Sequence, residues 1–249
     1  MDDSKTSPGL IAAVAAGVLF CGCLPLTLLV IGGIGAMFYM EMSTEPDPYE
    51  RPIPPQDTAV PEEPPEPPNF VPAVSRDGSE PTIGGSQVEI EVVQFSDFQC
   101  PYCSTRFEEL AELAERSSWL RLQFKHYPLS QTCNPNLSVD MHEHACDAAK
   151  AADCAHEQGL FWPMAAEMFA NQDALEEKDL AAKAAAVGLR MPQYRRCMAL
   201  GYTDGLQSDI ASAAAMEIRG TPAIYAHVVD SGRWYKIEGD LLTELERLR

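Results

Sequence analysis

The chain has 249 residues, room for one or two domains. Its formal net charge of −19 speaks against a nucleic-acid partner, because phosphate contacts need clustered Lys and Arg, and the acidity reads as a solvated surface. Of eight cysteines, Cys100, Cys103, Cys133, Cys146, Cys154 and Cys197 lie well after the apolar run near the start that holds Cys21 and Cys23. Their even number suits disulfide pairing in an oxidising compartment, with a cytosolic zinc protein as the competitor.

In chain order, residues 1–8 form a short polar start with Lys5 as the basic flank. Gly9 to Met40 carries no charge and exceeds the roughly 20 residues that cross a hydrocarbon core, so 9–40 is expected to be one retained transmembrane helix. Lys5 before the span and acidic residues after it place the start in the cytoplasm and everything beyond Met40 outside, in the periplasm. Cys21-Gly22-Cys23 matches a lipoprotein site only loosely and is taken as membrane-embedded small residues. Residues 41–81 are rich in Pro and Glu and poor in aliphatic residues. Such a stretch is expected to be a disordered, semi-rigid polyproline tether.

Val88 to Phe98 alternates and then becomes continuously apolar, which predicts a strand with Val92, Val93 and Phe95 buried. Cys100-Pro101-Tyr102-Cys103 follows, then an amphipathic helix over 104–117 with Phe107, Leu110 and Leu113 or Ala114 at helical spacing. A second strand starts at Leu120. Strand, Cys-x-x-Cys, helix and strand make a βαβ unit. Five helical segments come next, at 141–158, 161–172, 175–187 (stopped by Gly188), 191–200 and 203–218. Strands are expected at 219–229 and 233–239, with a closing amphipathic helix at 241–249.

The Cys pair points to redox chemistry. A strand running into a helix sets Cys100 over unpaired backbone N–H groups at the positive end of the helix, which favours the thiolate. Pro101 suits the first helical turn, where its missing N–H has no partner. Cys103, one turn on, is placed to resolve a mixed disulfide formed at Cys100. A four-cysteine zinc site would want a second C-x-x-C, and the sequence has none. Arg106 reads as a surface residue.

"VVQFSDFQCPYC", "KHYPL" and "RGTPAIY" together resemble the DsbA family of thioredoxin-fold disulfide oxidoreductases, over roughly Ile83 to Arg249. The resemblance implies an α/β thioredoxin-like domain over 82–249, with a helical insertion at about 131–217. It implies a cis Pro222 after Thr221, facing the dithiol and lining the substrate groove with Pro101 and Tyr102. It implies exchange with exported protein thiols or disulfides, no cofactor or metal, and a membrane redox partner where the enzyme acts as an oxidase. Many relatives carry a Glu six residues before the attacking cysteine; here that position is Gln94, which cannot titrate, and Asp97 is the nearer acid. A tethered binding or chaperone module without turnover, or a reductase or isomerase, are the alternatives.

Cys133 and Cys146, with His142 and His144, invite a metal reading. His-x-His-x-Cys on one helix would not put three side chains on one face, so a Cys133–Cys146 staple is expected. "CNP" followed by "HAC" also resembles some DsbA-like relatives. Cys154–Cys197 is then the second pair, against buried free thiols for those two, and sequence alone does not choose among the pairings. His126, Tyr127 and Trp162 are placed either along the groove or in ordinary packing at element ends. Met191 and Met198 read as core residues.

Overall fold

The computed structural model describes residues 70–249. The expected transmembrane segment at 9–40 and the tether as far as residue 69 lie outside the described residues. Among the described residues no helix is long and apolar enough to cross a membrane.

Strand β3 (Ile90–Ser96) is almost wholly buried because it has sheet neighbours on both sides and helices over its faces; Val92, Val93 and Phe95 have no exposed surface. The chain then enters α1 (Pro101–Arg116) and returns as β4 (Leu120–His126), parallel to β3. Helix α1 buries Phe107, Leu110 and Ala114, the period that one apolar face requires. On the other side of β3 lies β5 (Ala223–Val228), antiparallel, followed by β6 (Arg233–Ile237). The closing helix α7 (Leu241–Leu248) starts at Asp240, whose carboxylate accepts the Thr243 N–H at 2.9 Å, and buries Leu241 and Leu245.

Two further strands, β1 (Phe70–Val71) against β6 and β2 (Thr82–Gly84) against β4, complete a sheet in the order β1-β6-β5-β3-β4-β2. They correct the expected boundary, because the domain takes in residues 70–81 that were assigned to the tether. Val74 is buried with Val93 and Phe95, and Glu80 lies 3.0 Å from the buried Lys125. Arg76 is ion-paired to Glu91. One aliphatic side chain and a few charges do not stand out in a Pro-rich stretch; they acquire meaning only from partners far along the chain. Gly84 ends β2 at φ +86°, where a Cβ would lie 2.5 Å from the Ala114 carbonyl oxygen, so a side chain there would collide with α1.

Five helices separate β4 from β5: α2 (Ala145–His156), α3 (Phe161–Ala170), α4 (Glu177–Ala186), α5 (Met191–Met198) and α6 (Asp204–Ala215). Helix α2 starts four residues later than the Ala-rich run suggests, since Met141 and His142 donate their N–H groups to the Leu129 carbonyl instead. The core of this insert contains Phe161, Met164, Met168 and Leu180, and it is continuous with Phe98, Phe107, Phe124 and Cys103. Met191 and Met198 sit half-buried at its edge. Lys125 of β4 reaches Asp209 of α6 at 2.7 Å as well as Glu80, so one buried cation joins the insert, the sheet and the N-terminal strands.

Candidate active site

Cys100 caps α1 from an extended backbone, with no side-chain hydrogen bond to the helix, and Pro101 fills the first helical position. The Cys100 carbonyl accepts the Cys103 and Ser104 N–H groups at 3.0 and 3.3 Å, which holds the residue at the positive end of the helix. The sulfur is buried, at 5% residue exposure, and its Sγ lies 3.5 Å from the Thr221 carbonyl oxygen. The Thr221–Pro222 peptide is cis, so Pro222 stands beside the dithiol with no N–H of its own. Cys103 is completely buried one turn on, and both sulfurs are free thiols.

The two thiols are driven apart in acidity. A hydrogen bond from the Cys103 thiol, working against burial, pulls Cys100 down to about 6. The Thr221 side chain and the backbone N–H groups of Cys103 and Tyr102 add to that pull. Burial and the neighbouring Cys100 sulfur push Cys103 well above the ordinary thiol range. One sulfur is thus a thiolate at neutral pH and its neighbour a proton donor to it, the division of labour that disulfide exchange needs.

Beneath the pair, Gln94 is fully buried, its Nε2 3.4 Å from both the Ser96 hydroxyl and the Cys103 carbonyl. Its Oε1 has no hydrogen-bond partner. Beside the pair, an open groove of about 920 Å³ is lined by Tyr102, Arg106, Gly220, Pro222, Ile224 and Leu241. Tyr102 is 75% exposed on the groove's rim. Arg106 is anchored there by the Gly239 carbonyl at 2.8 Å and by Glu109.

A family model described as Thioredoxin matches residues 76–231. The chain belongs to the thioredoxin family. The Na(+)/H(+) antiporter NhaA 3 of Salinispora tropica is 31% identical over 145 residues, 58% of this chain and 21% of the antiporter. NhaA 1 of Mycolicibacterium vanbaalenii is 30% identical over 156 residues, 61% of this chain and 24% of that protein. The chain thus spans about a fifth to a quarter of the length of these curated relatives. A thioredoxin-like oxidoreductase from Silicibacter pomeroyi has the same fold at TM-score 0.54 and 22% identity, over 69% of this chain and 91% of that one. BdbD from Bacillus subtilis superposes at TM-score 0.54 and 17% identity, covering 72% and 96%. DsbA2 of Pseudomonas aeruginosa follows at 0.51 and 21%, covering 66% and 90%. Family and topology together give a thioredoxin fold of DsbA-like architecture, with the sheet split by a helical insert and a free Cys pair at the head of α1.

Other residues singled out in the sequence separate into those that reach the thioredoxin-family site and those that do not. Cys133–Cys146 and Cys154–Cys197 are disulfides, both away from the dithiol in sequence and both in or beside the insert. His126 is buried against Asp153 at 2.9 Å, Tyr127 donates to the Ile218 carbonyl at 2.8 Å, and Trp162 donates to the Thr82 carbonyl at 3.0 Å. All three are packing residues outside the groove. Asp97 makes a turn: its Oδ1 accepts the Gln99 N–H at 2.7 Å.

Two contributors were not visible in the sequence as site residues. Gln172, just past α3, donates Nε2 to the carbonyls of Phe98 and Cys100 at 2.7 and 2.9 Å, fastening the insert to the turn that carries Cys100. A Gln in a helix-end turn gives no local signal of this. His142 was weighed only as a metal ligand on a helix, yet it precedes α2 and its Nδ1 lies 2.9 Å from Asp97 Oδ2.

Proposed function

We propose that the protein is a membrane-anchored thiol–disulfide oxidoreductase, held by an N-terminal helix over 9–40 with its thioredoxin-family domain on the periplasmic side. It exchanges disulfides with the thiols of exported proteins. With the pair oxidised, a client thiolate attacks Cys100 and displaces Cys103, and a second client thiolate then displaces Cys100 as the client disulfide closes; in the opposite direction the Cys100 thiolate attacks a client disulfide and Cys103 resolves the mixed disulfide. The client's backbone lies along the groove beside Thr221, Pro222, Pro101 and Tyr102. The observation that supports this most is the asymmetry of the two thiols: Cys100 is lowered to about 6 and its neighbour is raised. Two disulfides in the same domain favour an oxidising compartment. What the chain shares with the NhaA antiporters is then a thioredoxin-family domain rather than transport, since the match covers about a fifth of those proteins.

The test is disulfide exchange on insulin with the full chain, with and without Cys100→Ala. Turnover that disappears in the variant supports the enzyme. Client binding without turnover in the unmodified chain would point to a tethered binding module. The equilibrium potential of the Cys100–Cys103 pair separates directions: near DsbA's value of about −120 mV it oxidises clients through a membrane electron acceptor, and near thioredoxin's of about −270 mV it reduces them. A C-terminal reporter active on one side of the membrane tests the topology.

A further inference from the structure

The segment closed by the Cys133–Cys146 disulfide does more than shorten a loop; it is laid against the turn that carries the nucleophile. Met141 and His142 donate their N–H groups to the Leu129 carbonyl at 2.9 and 3.1 Å, and His144 donates its N–H to Gln99 Oε1 at 2.6 Å. His142 Nδ1 meets Asp97 Oδ2 at 2.9 Å. Asp97 is itself fixed at every acceptor: Oδ1 takes the Gln99 N–H, Oδ2 also takes the Leu129 N–H at 2.6 Å, and its carbonyl takes the Cys100 N–H at 3.1 Å. The Asp97 side chain has no exposed surface, while that of His142 is 18% exposed. A buried carboxylate thus sits three residues from a sulfur that must become an anion. Left alone, it would oppose that ionisation.

Resting on the oxidoreductase function above, we propose that His142 is a positioning residue for the Cys100 thiolate: an imidazolium held by Asp97, delivered by the disulfide-closed loop, whose proton occupancy follows the redox state of Cys100. The group facing it across the contact is Asp97, whose carbonyl in turn accepts the Cys100 N–H; Asp140, Glu143 and His144 lie on its own loop. The hydrogen bond to Asp97 raises the imidazole's pKa against burial, and the Asp97 charge and the Cys100 thiolate raise it further. In the oxidised protein the thiolate is gone, so that last contribution vanishes. When a client dithiol reduces the enzyme disulfide, two electrons pass to the enzyme and the client closes its own disulfide. Of the two client protons, one ends on Cys103 and one is released, and His142 takes up a share of the released proton as Cys100 becomes thiolate.

The chain has five histidines, so ring-labelled histidine in the full chain gives a resolvable NMR titration, with His142 assigned by its loss in His142→Gln. The expected result is a His142 pKa about half a unit higher in the dithiothreitol-reduced protein than in the oxidised one. The pH midpoint of Cys100 alkylation should rise by about half a unit in His142→Gln. Identical His142 titrations in the two redox states overturn the proposal, as does an unmoved alkylation midpoint in a folded variant. If the variant does not fold, the redox comparison on the unmodified chain, with shifts assigned through Asp97→Asn, decides alone. Failure of the unmodified protein to exchange disulfides with insulin would instead remove the oxidoreductase function, whatever His142 does.

Discussion

In the helical insert, Cys154 of α2 is fully buried and closed onto Cys197 of α5 across 43 positions of sequence, tying two helices that share one apolar core. At the head of α1, Cys100 and Cys103 are just as buried, and they belong to that same core, yet they stand open as thiols. Burial is alike in the two places, so burial does not decide which sulfurs react. The difference is what surrounds the sulfur: α1's mouth brings backbone N–H groups, a cis proline and a partner thiol to Cys100, whereas Cys154 lies in the last turn of α2, away from the N-terminal end where backbone N–H groups are unpaired. A helix N-terminus alone does not keep a sulfur free, since Cys146 in the first turn of α2 is closed onto Cys133; what sets Cys100 apart is a partner thiol one turn on and the cis Thr221–Pro222 peptide beside it.

That contrast can be broken by substitution. The largest expected effect is at Cys100: Cys100→Ala should abolish insulin reduction, while Cys103→Ser should accumulate mixed disulfides with clients, read by mass spectrometry, since the resolving sulfur is lost. Neither change should lower thermal stability much. Removing the insert's cross-link with Cys154→Ala and Cys197→Ala should do the reverse. It should cost about 4 kcal/mol in the chain-entropy estimate for a closed loop of that size, measured by urea unfolding, and leave the Cys100 alkylation midpoint in place. Opening Cys133–Cys146 in the same way should cost about 3 kcal/mol and, unlike the first pair, should also raise the Cys100 midpoint, because that loop carries His142. If both disulfide variants behaved alike at Cys100, the loop would have no tie to the dithiol.

A further effect, confined to the reduced protein, is in pH dependence. Cys100 ionises near 6 in the folded protein, against about 8.5 for a free thiol. The reduced protein therefore gains stability as pH rises from about 6 toward the free-thiol value and loses it as pH falls through about 6. Cys103, whose pKa is raised, acts oppositely above the free-thiol range, where the unfolded chain ionises and the folded one does not. Urea unfolding of the reduced protein should show this rise and later decline, and the oxidised protein should lack both.

How much of this could be read locally follows the same division. β3, α1 and β4 were legible because period-2 and helical patterns, a proline at the first helical position and the Cys spacing all lie within 40 residues. β1 and β2 were not, because two- and three-residue strands have no period, and Val74 and Glu80 are defined by Val93 and Lys125 far away. His142 was legible as chemistry but assigned to the wrong element, since an Ala-rich run hides a start delayed by the Leu129 carbonyl. Gln172 had no signal at all.

By itself the sequence determined the order of elements from β3 onward, the Cys pair at a helix mouth and the candidate partner proline, because propensity, capping and spacing act within a few turns of chain. Only the tertiary structure decided which of the remaining cysteines pair, that the Thr221 carbonyl and Pro222 stand beside Cys100, and that a buried acid at 97 is answered by an imidazole from 45 residues away. Those outcomes depend on where distant segments meet, and desolvation and charge act through space with no regard for position along the chain.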